Sequence, residues 1–284
     1  MTHPLPKDHA LSVATDGGSA SPATKYISVS NQKGGVGKTT TTVNLATALA
    51  AVGKKVLVID LDPQGNASTG FGIDRAERTS GTYEVLFEEC DIDQAATATK
   101  VPNLFVVPSS IHLSGAEIEL VDAKNREFRL KTALANSKEH YDYVMFDCPP
   151  SLNLLTLNAL VASTGVLVPL QCEFYALEGL SHLVKTIERV KNAFNDQLEL
   201  TGVVLTMYDK RNNLANQVSD NVRSFFGDKV FETVIPRNVR ISEAPSFGLP
   251  AIVYDMHCPG SQAYIQLAKE MLKREGALQL RYAG

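Results

Sequence analysis

The chain has 284 residues, 44% of them apolar and 20% charged, with a formal net charge of −4. That is enough for one large α/β domain or two small ones, and the balance excludes a chain that is basic throughout, so any DNA contact must come from a local patch. No apolar run approaches the roughly 18 residues that span a bilayer, and no apolar N-terminal core marks a secretory signal.

Cys90, Cys148, Cys172 and Cys258 are scattered without a C-x-x-C pair. That spacing argues against metal or disulfide roles and for a reduced, cytoplasmic protein. Residues 1–24 are small, polar and aperiodic, as in Gly17-Gly18-Ser19-Ala20-Ser21-Pro22, and are expected to form a disordered arm.

An apolar run at 26–30 leads into Asn31-Gln32-Lys33-Gly34-Gly35-Val36-Gly37-Lys38-Thr39-Thr40 and then a helix over 39–52, with Gly53 suited to its C-cap. Strand, glycine loop, Lys-Thr and helix is the order of a phosphate cradle. Glycines let backbone N–H groups approach the phosphates, and the helix N-terminus adds its positive dipole end. In that cradle Gly34, Gly35, Val36, Gly37, Lys38, Thr39 and Thr40 line the phosphates. Lys38 reaches the β/γ-phosphates, and the Thr39 hydroxyl holds Mg²⁺. The pattern departs from G-x-x-x-x-G-K-[ST] at its first glycine, where Gln32 stands. Beside it a second cation, Lys33, faces phosphates that Lys38 already serves.

Residues 55–60 read as a buried strand ending in Asp60, followed by Leu61-Asp62-Pro63-Gln64-Gly65. One of these carboxylates could support Mg²⁺ and the other position an attacking water; either could also be a turn residue. A short strand is predicted at 104–108 and a helix over 126–138. The strand at 141–147 ends in Asp147, the Walker-B arrangement able to orient Mg²⁺ or one of its waters. Beyond it follow a helix at 152–162, a strand at 165–170, a helix at 177–194 and a strand at 201–206. A polar loop at 208–213, a helix at 214–226, a strand at 230–235 and a helix at 262–273 complete the chain. Apolar strands alternating with amphipathic helices predict a three-layer α/β fold over residues 25–284. Its mainly parallel twisted sheet carries helices on both faces. Ligands in such sheets sit beyond the carboxyl ends of the strands, which gathers the loop at 33–40, Asp60, Asp62 and Asp147 at one edge.

Lys33-Gly34-Gly35-Val36-Gly37-Lys38-Thr39, Asp60-Leu61-Asp62-Pro63-Gln64-Gly65-Asn66 and Asp147-Cys148-Pro149-Pro150 together resemble the deviant Walker-A ATPases. Within these the chain is most similar to the ParA/Soj chromosome- and plasmid-partitioning family. Gln171-Cys172-Glu173-Phe174-Tyr175-Ala176-Leu177-Glu178-Gly179 and Val234-Ile235-Pro236-Arg237-Asn238-Val239-Arg240 extend the likeness, which covers residues 25–275.

The resemblance implies an ATP-dependent homodimer in which Lys33 reaches the phosphates of the partner's ATP. A cation there would stabilise transition-state charge and tie dimerisation to the γ-phosphate, which ADP lacks. It further implies that Asp62 positions the attacking water, that Thr39 and Asp147 match the Mg²⁺ ligand and Walker-B positions, and that Pro236 and Asn238 pack around adenine; with Asp62 given to the water, Asp60 is the carboxylate left to support Mg²⁺. Arg211 and Arg240 match the family's DNA-binding arginines, with Lys210 and Arg223 in the same half of the chain. Binding of double-stranded DNA through them would be sequence-independent and salt-sensitive, and would place the protein at the nucleoid. The implied partner is a ParB-like centromere-binding protein that triggers hydrolysis.

The nearest rival is a MinD-like positioning ATPase, which attaches to membranes by a basic amphipathic C-terminal helix. Residues 264–275 instead carry acidic side chains and read as a core-packing helix. A redox dimer sharing a cluster through Cys148 and Cys172, and a scaffold that binds nucleotide without hydrolysing it, are the remaining readings.

Overall fold

Strands built from unbroken runs of Val, Ile and Leu must be covered on both faces, and helices cover them here. The computed structural model describes residues 23–282. Its first half runs β1 (Lys25–Val29), α1 (Lys38–Ala51), β2 (Val56–Asp60), α2 (Asn66–Gly70), α3 (Thr82–Leu86), α4 (Ile92–Ala95), β3 (Thr97–Ala98), β4 (Leu104–Val107), α5 (Leu113–Glu119) and α6 (Arg129–Ala135). The second half runs β5 (Tyr143–Asp147), α7 (Leu154–Ala162), β6 (Gly165–Gln171), α8 (Ala176–Ala193), β7 (Glu199–Tyr208), α9 (Asn213–Phe226), β8 (Val230–Pro236), α10 (Val239–Glu243), α11 (Ala251–Tyr254) and α12 (Pro259–Tyr282).

The strands form one eight-stranded sheet in the order β3-β4-β2-β5-β1-β6-β7-β8. Every pairing is parallel except β3 with β4. This is the three-layer α/β architecture that the alternation of strands and helices predicts.

Side chains alternate across the sheet, so Ile27, Val29, Val58 and Met145 point to one face and pack against Leu45 and Leu49 of α1 and Tyr264 and Leu267 of α12. On the other face Leu57, Ile59, Val144 and Phe146 meet Leu86, Leu130 and Leu155. Val168 and Leu205 meet Leu183 of α8 and Val222 of α9. Helix α1 is buried continuously from Thr41 to Ala50. Its threonines survive there because their hydroxyls are satisfied. Thr42 and Thr47 bond to carbonyls one turn back at 3.1 and 2.8 Å, and Thr41 meets the Tyr264 hydroxyl at 3.2 Å.

The helix predicted at 126–138 contracts to α6, whereas α12 extends beyond the predicted 262–273 at both ends. Helices α2 to α5, α10 and α11 were not anticipated. Each has seven residues or fewer, too short to display a helical repeat. The arm expected at 1–24 lies outside the described residues except for Ala23 and Thr24, and the Thr24 hydroxyl donates to Tyr141 O at 2.7 Å.

Among the described residues no helix is long and apolar enough to cross a membrane. Over residues 264–271 the apolar face of α12 is spent on the core, where Tyr264, Leu267, Ala268 and Met271 are buried. Its Glu270 accepts from the backbone of Glu232 and Thr233 at 2.8 and 2.9 Å and pairs with Arg274 at 2.7 Å.

Where α12 passes the sheet edge opposite the strand carboxyl ends, the Tyr143 hydroxyl donates to Glu275. Burial raises the Glu275 pKa above its ordinary value, against the pull of Tyr143, Lys25 and Lys54. A carboxyl whose pKa rises on folding favours the folded state most when protonated, and that contribution is lost as pH climbs through the raised pKa. Glu275→Gln should therefore leave stability nearly unchanged at about pH 4 and raise the urea midpoint relative to wild type at about pH 8. A gain that is no larger at the higher pH would remove burial as the cause.

Candidate active site

The loop after β1 is held from two further strands. Asn31 donates through Nδ2 to Pro169 O of β6 at 2.8 Å, and its Oδ1 accepts from Lys33 N at 3.0 Å. Thr206 of β7 donates through Oγ1 to Val36 O at 2.8 Å. Gly37 then turns into α1 at φ 88°, in the left-handed region where a side chain is strained. The first amides of α1 have no helical acceptor and lie where an anion is favoured. Lys38, almost fully buried, rests its Nζ on Lys33 O at 3.1 Å. Burial lowers its pKa, opposed by the charges of Asp147, Cys148 and Asp62. An ammonium this deep with one carbonyl partner has room for anionic oxygens and a reason to attract them.

Parallel register sets Asp60 beside Asp147 across β2 and β5, and Asp147 beside Val29 across β5 and β1. Both carboxylates are completely buried. The Oδ1 atom of Asp147 accepts from Thr42 Oγ1 at 3.0 Å, whereas its Oδ2 is buried with no hydrogen-bond partner among the described residues. Burial and then the neighbouring Asp60 push the Asp147 pKa up, with the Thr39 and Thr42 hydroxyls pulling down. An orphaned carboxylate oxygen between a second carboxylate and a threonine hydroxyl suits a hard divalent cation, and the donor set of Thr39 and Asp147 fits magnesium.

Asp60 is occupied differently. Its Oδ2 accepts from Ser68 N at 2.8 Å and Ser68 Oγ at 2.6 Å, and its Oδ1 from Asp62 N at 3.2 Å. Ser68 Oγ in turn accepts from Ser109 N at 3.0 Å, and Thr82 donates to Asp60 O at 2.7 Å. The acceptors of Asp60 are directed at the segment that carries Asp62. Asp62 opens a tight turn in which its Oδ1 receives Gln64 N at 3.0 Å and its carbonyl receives Gly65 N at 2.8 Å.

Lys33 turns away from the cradle and pairs with Glu173, in the loop between β6 and α8, with both side chains about half exposed. The neighbours of Glu173, Phe174 and Tyr175, are exposed and stack edge to face at 5.0 Å.

Pro236 ends β8, one strand beyond the β7 end that braces the loop, and its register partner is Tyr208. Asn238 caps α10 by accepting from Ile241 N at 3.4 Å. Arg211, with its side chain 89% exposed, grips Asp209 through Nε and Nη2 at 3.0 and 2.8 Å. Arg240 pairs with Glu243 at 3.0 Å and Asp255 at 3.6 Å. Lys210 is exposed beside Arg211, and Arg223 on α9 reaches Glu232 O at 3.4 Å.

Thr42, Ser68, Ser109, Thr206 and Glu173 do not emerge from sequence reasoning, although they fix the loop, the carboxylates and Lys33. Only Thr42 carried a signal: a hydroxyl three residues after Thr39, in a helix otherwise committed to the core.

A family model described as an AAA domain matches residues 24–200. The chain is 55% identical over 253 residues to the chromosome partitioning protein ParA of Caulobacter vibrioides, covering 88% of this chain and 95% of that one. It is 54% identical over 247 residues to the sporulation initiation inhibitor protein Soj of Bacillus subtilis, covering 87% and 98%. Among solved structures, cobyrinic acid a,c-diamide synthase from Mycobacterium smegmatis with bound ADP and magnesium has a TM-score of 0.79 at 35% identity. That similarity covers 89% of this chain and 96% of the synthase chain.

Ser68→Ala would delete the hydroxyl that joins Asp60 to Ser109. It leaves a fully buried carboxylate one donor short, which should cost about 1–3 kcal/mol of unfolding free energy. An unchanged midpoint in urea would show that Ser68 carries no part of this network.

Proposed function

The chain belongs to the ParA/Soj family of chromosome partitioning ATPases, and from that membership we propose that it hydrolyses ATP as a DNA-bound dimer that segregates DNA. The observation that carries the dimer reading is the division of labour between two lysines. Lys38 is buried against its own loop, while the Lys33 ammonium lies at the surface, paired among the described residues with Glu173.

The loop amides at 34–40, with Lys38, bind the phosphates of ATP in their own subunit. Thr39 and Asp147 would hold magnesium, which supplies charge neutralisation on the phosphates when bound. Pro236 and Asn238 contribute to the adenine pocket. Asp62 orients the attacking water, and Asp60 fixes the start of the Asp62 turn through the Asp62 N–H and Ser68. Lys33 exchanges Glu173 for the γ-phosphate of the partner subunit's ATP, adding positive charge where it develops in the transition state. ADP offers Lys33 no such group, so hydrolysis dissolves the dimer.

Arg211 and Arg240, with Lys210 and Arg223, supply phosphate-binding groups after β7, on α9 and after β8. Pairing two subunits doubles the number of cations and makes DNA binding depend on ATP through dimerisation. A ParB-like protein at the cargo triggers hydrolysis and release, which places the protein on the nucleoid.

The mass of the full chain in solution tests the cycle. Wild type should be a monomer with Mg·ADP and shift toward dimer with Mg·ATP. Asp62→Ala should accumulate as the dimer while its turnover falls by about a hundredfold or more, the range for loss of a positioned acid–base group. A wild-type mass that ignores the nucleotide, or an Asp62→Ala enzyme that turns over normally, would sink this mechanism. For the DNA face, Arg211→Ala and Arg240→Ala should each weaken ATP-dependent binding evenly across unrelated duplexes. Each should also lower the slope of log affinity against log salt by about one for every DNA phosphate that the arginine neutralises. An unchanged salt slope would remove that arginine from the DNA face.

A further inference from the structure

We propose that Arg78 is a positioning residue for turnover, pinning the turn that carries Asp62 to the end of β4. The proposal rests on the reading of Asp62 given above. Arg78 follows a single helical turn, Arg75–Glu77, between α2 and α3. Its Nε and Nη2 both donate to Ile73 O, at 3.2 and 2.8 Å. Nη2 also donates to Thr69 Oγ1 at 2.8 Å, and Nη1 to Ser109 O at 3.2 Å. All four bonds go to neutral acceptors, so the guanidinium is spent on tying chain segments together rather than on an ion pair.

The segments it ties bear on Asp62. Gly65 closes the Asp62 turn by donating to Asp62 O, and its φ of 64° is left-handed. A Cβ on Gly65 would lie 2.1 Å from Arg78 Nη1 and 3.1 Å from Ser109 O, so the bare Cα is the seat on which the guanidinium rests. Thr69 lies on α2, one turn beyond Gly65 and bonded back to its carbonyl at 3.0 Å. Ser109 is also the residue that grips Ser68, and Ser68 grips Asp60. The Asp62 turn is therefore fastened to the end of β4 twice, through the Asp60–Ser68–Ser109 chain and through the Arg78 fork. Only a planar five-donor group can reach the Ile73, Thr69 and Ser109 acceptors together; a lysine could serve one or two.

Positioning of a water demands tolerances below about 1 Å, and a clamp remote from the nucleotide acts on the chemical step rather than on affinity. In full-length protein with Mg·ATP and duplex DNA, Arg78→Gln should lower kcat about tenfold while KM for ATP and the ATP-dependent dimer mass stay at wild-type values. Arg78→Lys should recover part of the loss. In an Asp62→Ala background, Arg78→Gln should cost nothing further, because the group it positions is gone.

Normal turnover in Arg78→Gln alongside a crippled Asp62→Ala enzyme would overturn the clamp and leave the role of Asp62 standing. So would a parallel loss of ATP affinity, or an undiminished effect in the Asp62→Ala background. Normal turnover in Asp62→Ala would instead overturn the reading beneath it. Should Arg78→Gln fail to fold, Thr69→Val removes one of the Arg78 acceptors together with the hydroxyl's own bond to Gly65 O, and it should show a smaller fall in kcat at unchanged KM.

Discussion

The parallel register of β1, β5 and β2 is the constraint on which the site depends. Val29, Asp147 and Asp60 are register partners, so three strand ends deliver the phosphate loop and two carboxylates to one edge. A slip of one residue in either pairing would turn a carboxylate from that edge into an apolar layer and bring a core side chain out. The hydrophobic alternation that drives folding, with Met145 on one face and Phe146 on the other, therefore also fixes the catalytic geometry. Burial of Asp60 and Asp147 is costly in itself, and the fold offsets it unequally. Asp60 is given three donors, whereas Asp147 keeps one oxygen bare. The unequal treatment separates a carboxylate that builds the loop from one that is open to a cation.

What was legible in the sequence is what repeats or what chemistry restricts. Apolar runs at strand spacing gave β1, β2 and β4 to β8 to within a few residues, and the glycine loop with Lys38 and Thr39 gave the cradle. The placement of Asp147 at a strand end beside the loop was legible because it closes the apolar run Tyr143-Val144-Met145-Phe146. The supports were not legible. Ser68 and Ser109 lie 41 positions apart and meet only because α2 folds under the end of β4. Lys33 and Glu173 are 140 positions apart. A serine bonded at long range looks, in sequence, like any other serine, and helices as short as α2 and α3 leave no repeat to detect. Arg78 was hidden for the same reason, since its acceptors are backbone carbonyls and a threonine hydroxyl, groups that carry no identity in the sequence.

Three of the cations proposed to meet nucleotide and DNA share one further property. Lys33 is held by Glu173, Arg211 by Asp209, and Arg240 by Glu243 and Asp255, all within the same chain. These side chains are about half exposed or more on the cationic partner. Pairs of that kind contribute only about 0.2–1 kcal/mol and weaken further with salt. Each local carboxylate can therefore be exchanged for a phosphate at small cost, because a phosphate brings more charge and more acceptor oxygens than the group it replaces. In the proposed cycle the exchange would also order the events. With net charge −4 and Lys33, Arg211 and Arg240 locally paired, a lone subunit would have little long-range attraction for DNA. The buried elements work in the opposite sense: Lys38, Asp60 and Asp147 are fixed by the core and cannot rearrange without unfolding it. A rigid edge at the candidate site and weakly paired surface cations that can change partners are complementary requirements of the nucleotide-dependent assembly proposed above.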